Sequence, residues 1–81
     1  MHLEILTPEQ KIFTGEATAV QFPGSGGSFQ VLDRHAPIIS SLNAGNIKVD
    51  HDKSITNFKI TGGFVEVLDN KVTVLIEGLQ K

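Results

Sequence analysis

Val65-Glu66-Val67-Leu68-Asp69-Asn70-Lys71-Val72-Thr73-Val74-Leu75 alternates, turns and alternates again. Asp69 and Asn70 both tolerate positive φ, which a two-residue hairpin loop requires. A period of two sends neighbouring side chains to opposite faces of a strand, so the valines mark one face that seeks a core. The stretch predicts an antiparallel hairpin. It sets the period with which the rest of the chain is read.

The same period recurs outward from this hairpin. Leu3 and Ile5 alternate with His2 and Glu4, and Thr18, Val20 and Phe22 alternate with Ala17, Ala19 and Gln21. Phe29 and Val31 share a face, Ile47 and Val49 alternate with Lys48 and Asp50, and Thr56, Phe58 and Ile60 alternate with Asn57 and Lys59. Turn signals separate these runs: Thr7-Pro8-Glu9, Thr14-Gly15-Glu16, Pro23 to Gly27, Asp33 to Pro37, Asn43 to Asn46, Asp50 to Lys53 and Gly62-Gly63. Short strands with turns at this spacing predict an all-β fold, a single flattened sandwich or barrel of short antiparallel strands. The best helix candidate, Ala36 to Asn43, admits Pro37 only in its first turn and is too short to stand without tertiary support.

With 81 residues the chain is expected to form one domain, residues 1–81. It has no cysteine, which excludes a disulfide scaffold and a thiolate metal site. Five phenylalanines with Val, Ile and Leu must build the core, with Phe22 and Phe58 as candidate core rings. The net charge is −2 and the basic residues are scattered, so no patch is written that would neutralise nucleic-acid phosphates. No apolar run approaches the ~20 residues of a membrane-spanning helix, and the N-terminus lacks a signal-peptide pattern.

Three constellations invite a chemical reading. Pro23-Gly24-Ser25-Gly26-Gly27-Ser28 resembles a phosphate cradle, but a P-loop would continue into Lys-Ser/Thr and a helix, whereas Phe29-Gln30-Val31 continues as a strand. Asp33-Arg34-His35 offers acid–base groups, yet Ala36-Pro37 turns the chain before they can converge on one substrate. Asp50-His51-Asp52 offers metal ligands, but adjacent residues of a hairpin rarely converge on one ion. The residues by themselves predict a small all-β module that binds a partner, with no catalytic residue, no metal and no cofactor.

The ordered set of motifs is more specific than any one of them. Leu6-Thr7-Pro8-Glu9 and Phe13-Thr14-Gly15-Glu16-Ala17 are followed by Phe22-Pro23-Gly24-x-x-Gly27 and Val31-Leu32-x-x-His35-Ala36-Pro37. Leu42-x-x-Gly45, Gly62-Gly63-Phe64-Val65-Glu66-Val67 and Val72-Thr73-Val74-Leu75 complete the set. This series resembles the N-terminal β-domain of the epsilon subunit of rotary ATP synthase, over essentially the whole chain.

The resemblance implies a non-catalytic rotor subunit of the central stalk. It would join the gamma subunit to the c-ring and couple ion-driven rotation to ATP synthesis. It would sit peripherally on the cytoplasmic face of the bacterial inner membrane, meeting the membrane only through the ring. Carried over by position, the gamma-binding residues are Thr7, His35, Ala36 and Ser40, and the c-ring-binding residues are Ser25, Gly26, Gly27 and Ser28. Phe29 to Leu32 would then be a core strand joining two docking surfaces.

The chain departs from the family pattern at Ser28, where an acidic residue is common, and at Asp33-Arg34, where Pro-Gly is usual. Position makes Arg34 an extra charge for gamma or the ring. The two-helix C-terminal part of most bacterial members is absent from these residues, so inhibition by helix insertion and specific ATP binding are not expected of them. Two other readings remain: a free-standing β-sandwich adaptor that shares only the fold, and a small hydrolase using His35.

Overall fold

The computed structural model describes residues 1–80; Lys81, the last residue of the expected unit, lies outside the described residues. In chain order the strands are β1 (His2–Leu6), β2 (Lys11–Glu16), β3 (Ala19–Gly24), β4 (Gly27–Leu32), β5 (Ile38–Leu42), β6 (Gly45–His51), β7 (Ser54–Ile60), β8 (Gly63–Leu68) and β9 (Lys71–Ile76). They form one curled sheet in the order β2-β1-β9-β8-β5-β3-β6-β7, with β4 paired to β3 beside that path. The sheet folds over a single core, which agrees with the sandwich expected from the alternation.

The Asp69-Asn70 hairpin is β8–β9. Val67 faces Val72 and Val65 faces Val74 across it, all four nearly inaccessible to solvent. Asp69 and Asn70 both take positive φ, 51° and 61°, as the two-residue loop demands. Asp52 and Lys53 do the same between β6 and β7.

The rest of the core is equally apolar: Leu3 and Ile5 of β1, Val20 and Phe22 of β3, Val31 of β4, Ile47 and Val49 of β6, and Ile60 of β7 are all fully buried. Phe29 packs against Phe22 with ring centroids 5.4 Å apart. At the two ends of the strand order, Phe13 of β2 meets Phe58 of β7 edge-on at 6.0 Å. The curled sheet is thus closed there by side chains rather than by a hydrogen-bonded ladder. Phe58 is only half-buried, so of the two expected core rings Phe22 alone lies at the centre.

Three features differ from the sequence reading. The helix candidate Ala36 to Asn43 is strand β5, because residues 38–42 pair with β8 in unbroken register and bury Leu42. Thr14-Gly15-Glu16 is not a turn: Gly15 is extended inside β2 and lies opposite Leu3. One pair is parallel, β1 with β9, since the chain reaches β9 only after crossing the whole sandwich. Every other paired strand is antiparallel.

Candidate docking surfaces

The Gly-rich stretch is the tip of the β3–β4 hairpin. Ser25, Gly26, Gly27 and Ser28 are all exposed. Gly27 has φ 124°, a conformation that favours glycine, and a side chain at Gly26 or Gly27 would meet open space. Gly24 is bare for an internal reason, because a Cβ there would sit 2.7 Å from both the Gly27 carbonyl and the Phe29 ring. The tip is pinned to β5: Ser25 N and Oγ both donate to the Ser41 carbonyl, at 3.1 and 3.0 Å, and the two serine hydroxyls are also paired. Beside it, across the same Gly24–Leu42 pair, Asn43 N donates to the Pro23 carbonyl at 2.8 Å.

The His-Ala-Pro turn lies at the other end of β4. Five residue steps separate Gly27 from Leu32, roughly 17 Å of strand. His35 N closes the turn onto the Leu32 carbonyl at 3.2 Å. The His35 ring sits with Nδ1 2.8 Å from the Ala36 carbonyl. A carbonyl only accepts, so Nδ1 is the donor.

Arg34 takes φ 63° and its N–H donates to Asn70 Oδ1 at 2.8 Å, tying this turn to the β8–β9 hairpin. The Asp33 carboxylate pairs with the N-terminal amine of Met1, which also donates to the Ala17 carbonyl at 3.0 Å. The hydrogen bond from the amine, above all, holds the Asp33 carboxyl below its ordinary value; desolvation opposes it, and the amine's charge, Asn70 and Arg34 add smaller contributions in the same direction. Asp33 is therefore turned to the amine rather than to His35.

The structure separates the residues assigned to gamma. Thr7 caps the β1–β2 turn, its Oγ1 accepting from Gln10 N at 3.1 Å. It follows Leu6, which pairs with Leu75 near the Gly63 end of β8, whereas His35 and Ala36 precede the Ile38 end of β5 that pairs with Val67. Thr7 and His35 thus stand at opposite ends of the strands. Ser40 lies opposite Val65, on the core-facing side of β5, and is half-buried.

The outward side of β5 carries a surface that alternation alone does not reveal. Ile39 is 76% exposed, Phe64 of β8 60% and Leu75 of β9 53%. Leu6 pairs with Leu75 and Leu75 with Phe64, so these three make a row across three adjacent strands. Ile39, Phe64, Glu66, Thr73 and Leu75 line a shallow open groove of about 240 Å³. The signal was present in Phe64 and Leu75, apolar residues at the polar positions of an alternating strand. A surface cluster of this kind marks an interaction site more often than an isolated exposed leucine does.

The other two constellations do not assemble a site. His51 Nε2 is 2.7 Å from Thr56 Oγ1 and its ring stands edge-on to Phe13, 5.3 Å away. The Asp50 carbonyl accepts from Thr18 N and Oγ1 at 2.9 and 3.1 Å, while its carboxylate Oδ1 is left without a partner. Among the described residues no group of three or more His, Asp or Glu side chains is placed to hold a metal ion. Nor is any helix among them long and apolar enough to cross a membrane.

Residues 1–81 match the family described as the ATP synthase delta/epsilon chain β-sandwich domain. The chain belongs to this family. It is 42% identical over 79 residues to an ATP synthase epsilon chain of Pelotomaculum thermopropionicum, covering 98% of this chain and 59% of that one. It is 43% identical over 76 residues to an ATP synthase epsilon chain of Chlorobium limicola, covering 93% of this chain and 86% of that one. The chain therefore spans about three-fifths of the first relative and most of the second.

Two solved structures share the fold. A chain of the Euglena gracilis mitochondrial ATP synthase, from a structure of OSCP, F1 and c-ring, superposes with a TM-score of 0.89 at 22% identity, over 96% of this chain and 51% of that one. A chain from the central stalk and c-ring of the Tetrahymena thermophila mitochondrial enzyme gives 0.84 at 18% identity, over 99% and 65%.

Proposed function

We propose that this chain is a central-stalk rotor subunit of an F-type ATP synthase that joins gamma to the c-ring and has no catalytic role of its own. It would lie peripherally on the cytoplasmic face of the bacterial inner membrane. Family membership supports this reading, and so does the naming of its relatives as epsilon chains.

The observation that carries it is the sharing of β5 between two exposed surfaces. Ile39 stands on the outward apolar face, and Ser41, two residues on, holds the tip of the Gly-rich hairpin. A load applied to one surface reaches the other through one short strand, which suits a part that must turn as a unit with two neighbours. In this reading Ser25, Gly26, Gly27 and Ser28 meet the ring. His35 and Ala36 contribute to the gamma contact, with Thr7 and Ser40 as the more remote candidates. Arg34, exposed and held in shape by Asn70, offers its charge beside His35.

Co-elution with the cognate gamma subunit on a sizing column tests the reading. A stable complex weakened by His35→Glu supports both the function and the turn. A complex indifferent to His35→Glu keeps the function and moves the contact elsewhere. A folded chain that forms no complex favours the adaptor reading instead.

A further inference from the structure

We infer that the fold contains a seat for a charged, unmodified amine at Met1, so that the formyl group with which a bacterial chain begins must be hydrolysed before the sheet can close there. The inference needs bacterial synthesis, not the rotor role.

Met1 is the last rung of the β1–β2 ladder. His2 pairs with Glu16, and one residue earlier Met1 exchanges two hydrogen bonds with Ala17. The Met1 amine donates to the Ala17 carbonyl at 3.0 Å, and the Met1 carbonyl accepts from Ala17 N at 2.9 Å. The residue is only 5% exposed and its side chain belongs to the core. The nitrogen therefore cannot swing out to solvent unless core packing and the rung are given up together.

Two carboxylates converge on the same nitrogen. Asp33, just past the end of β4, pairs with it directly, and Glu16 Oε1 lies 3.6 Å away. With the Ala17 carbonyl this makes three acceptors around one nitrogen. An ammonium has three hydrogens to give, an amide nitrogen one. Among the described residues the amine is also the only cation within ion-pair distance of Asp33.

A formyl group turns the amine into an amide. The charge is lost, one hydrogen remains, and the added carbon takes one of the directions that the acceptors occupy. Its removal is a hydrolysis. Water adds to the formyl carbon, the carbon–nitrogen bond breaks, formate leaves and the nitrogen becomes the ammonium. The reaction that must supply this chain is thus that of a formamide hydrolase acting on the N-terminus before it is buried.

The 81-residue chain made by chemical synthesis, with a free or a formylated Met1 and each with and without Asp33→Asn, tests this. Urea unfolding reads the whole fold, and amide hydrogen exchange at Ala17 reads the rung itself. Formylation is expected to raise the unfolding equilibrium constant about tenfold and to speed exchange at Ala17. Asp33→Asn should narrow the difference between formylated and free chains, because that carboxylate is what the charge answers. The intact mass of the subunit isolated from cells should show Met1 present and unmodified.

Equal stability and equal exchange at Ala17 with and without the formyl group would overturn the inference. So would a loss that Asp33→Asn leaves unchanged, since the seat would then exclude bulk rather than read charge. A native subunit that keeps its formyl group, or lacks Met1, would overturn it as well. The rotor reading survives all three, because it stands on binding to gamma.

Discussion

The two faces of the β8–β9 hairpin are built from alternate residues of the same two strands, and both carry large apolar side chains. Inward stand Val65, Val67, Val72 and Val74, none more than 2% exposed; outward stand Phe64, Leu68 and Leu75, each at least half exposed. The inward set is explained by folding, since burial of such side chains is the main favourable term in a small domain. The outward set is only partly covered by folding in the isolated chain. Apolar residues that folding leaves uncovered point to a partner, and the face with the weaker alternation is the one that carries information about function.

Truncation of the inward side should have the largest effect. Phe22 is fully buried and packs on Phe29, so Phe22→Ala is expected to cost about 3–5 kcal/mol in urea unfolding, much of the margin of so small a domain. A loss under about 1 kcal/mol would mean that the core is less tightly packed than the structure shows. Gly63→Ala comes next. Its Cβ would lie 2.2 Å from the Leu75 carbonyl oxygen, so the β8–β9 ladder must shift. A cost of roughly 1–3 kcal/mol is expected from such overpacking, and an unchanged unfolding midpoint would contradict the β8–β9 register.

On the outward side Phe64→Ser should cost less than either, about 1 kcal/mol, because the ring is 60% exposed and only its covered remainder and its strand preference are lost. A large loss would show that Phe64 belongs to the fold rather than to a partner.

The smallest effect concerns acid. The folded value of Asp33 lies below its ordinary 3.8, so its pairing with the N-terminal amine contributes fully above that pH. The contribution is lost as pH falls through the lower, folded value. Because the group is exposed, the expected difference is modest: Asp33→Asn should flatten the acid limb of the stability profile and leave the rest of it in shape. An acid limb identical in the two chains would remove the pairing.

What the sequence made legible was whatever depends on near neighbours. Alternation marked the inward residues of β1, β3, β6, β8 and β9, and the Asp69-Asn70 loop marked the hairpin and its register. Gly15 was misread because glycine marks a turn and an interior strand position equally well. Residues 36–43 were the helix candidate because Ile38-Ile39-Ser40-Ser41-Leu42 has no strict alternation; only pairing with β8, more than twenty residues away, makes it a strand.

The parallel β1–β9 pair and the contact of Met1 with Asp33 depend on closure of the whole sheet, which no local pattern encodes. The hairpin tip was legible from its glycines, but its attachment to Ser41 was not. On β5 the residue assigned to docking, Ser40, faces inward and its neighbour Ile39 faces out. A shift of one residue in a strand exchanges core for surface.

One rigid chain, on this view, presents two different surfaces to two different partners, and site-specific labelling tests that most directly. The chain has no cysteine, so Ile39→Cys and Ser25→Cys each introduce a single thiol. Maleimide labelling of each variant would be followed alone, with gamma, and in the assembled complex with the c-ring. Gamma alone should shield the thiol at position 39 and leave that at 25 reactive, while assembly on the ring should shield both. Labelling at 39 that gamma does not change, or labelling at 25 that the ring does not change, would contradict the two-surface rotor.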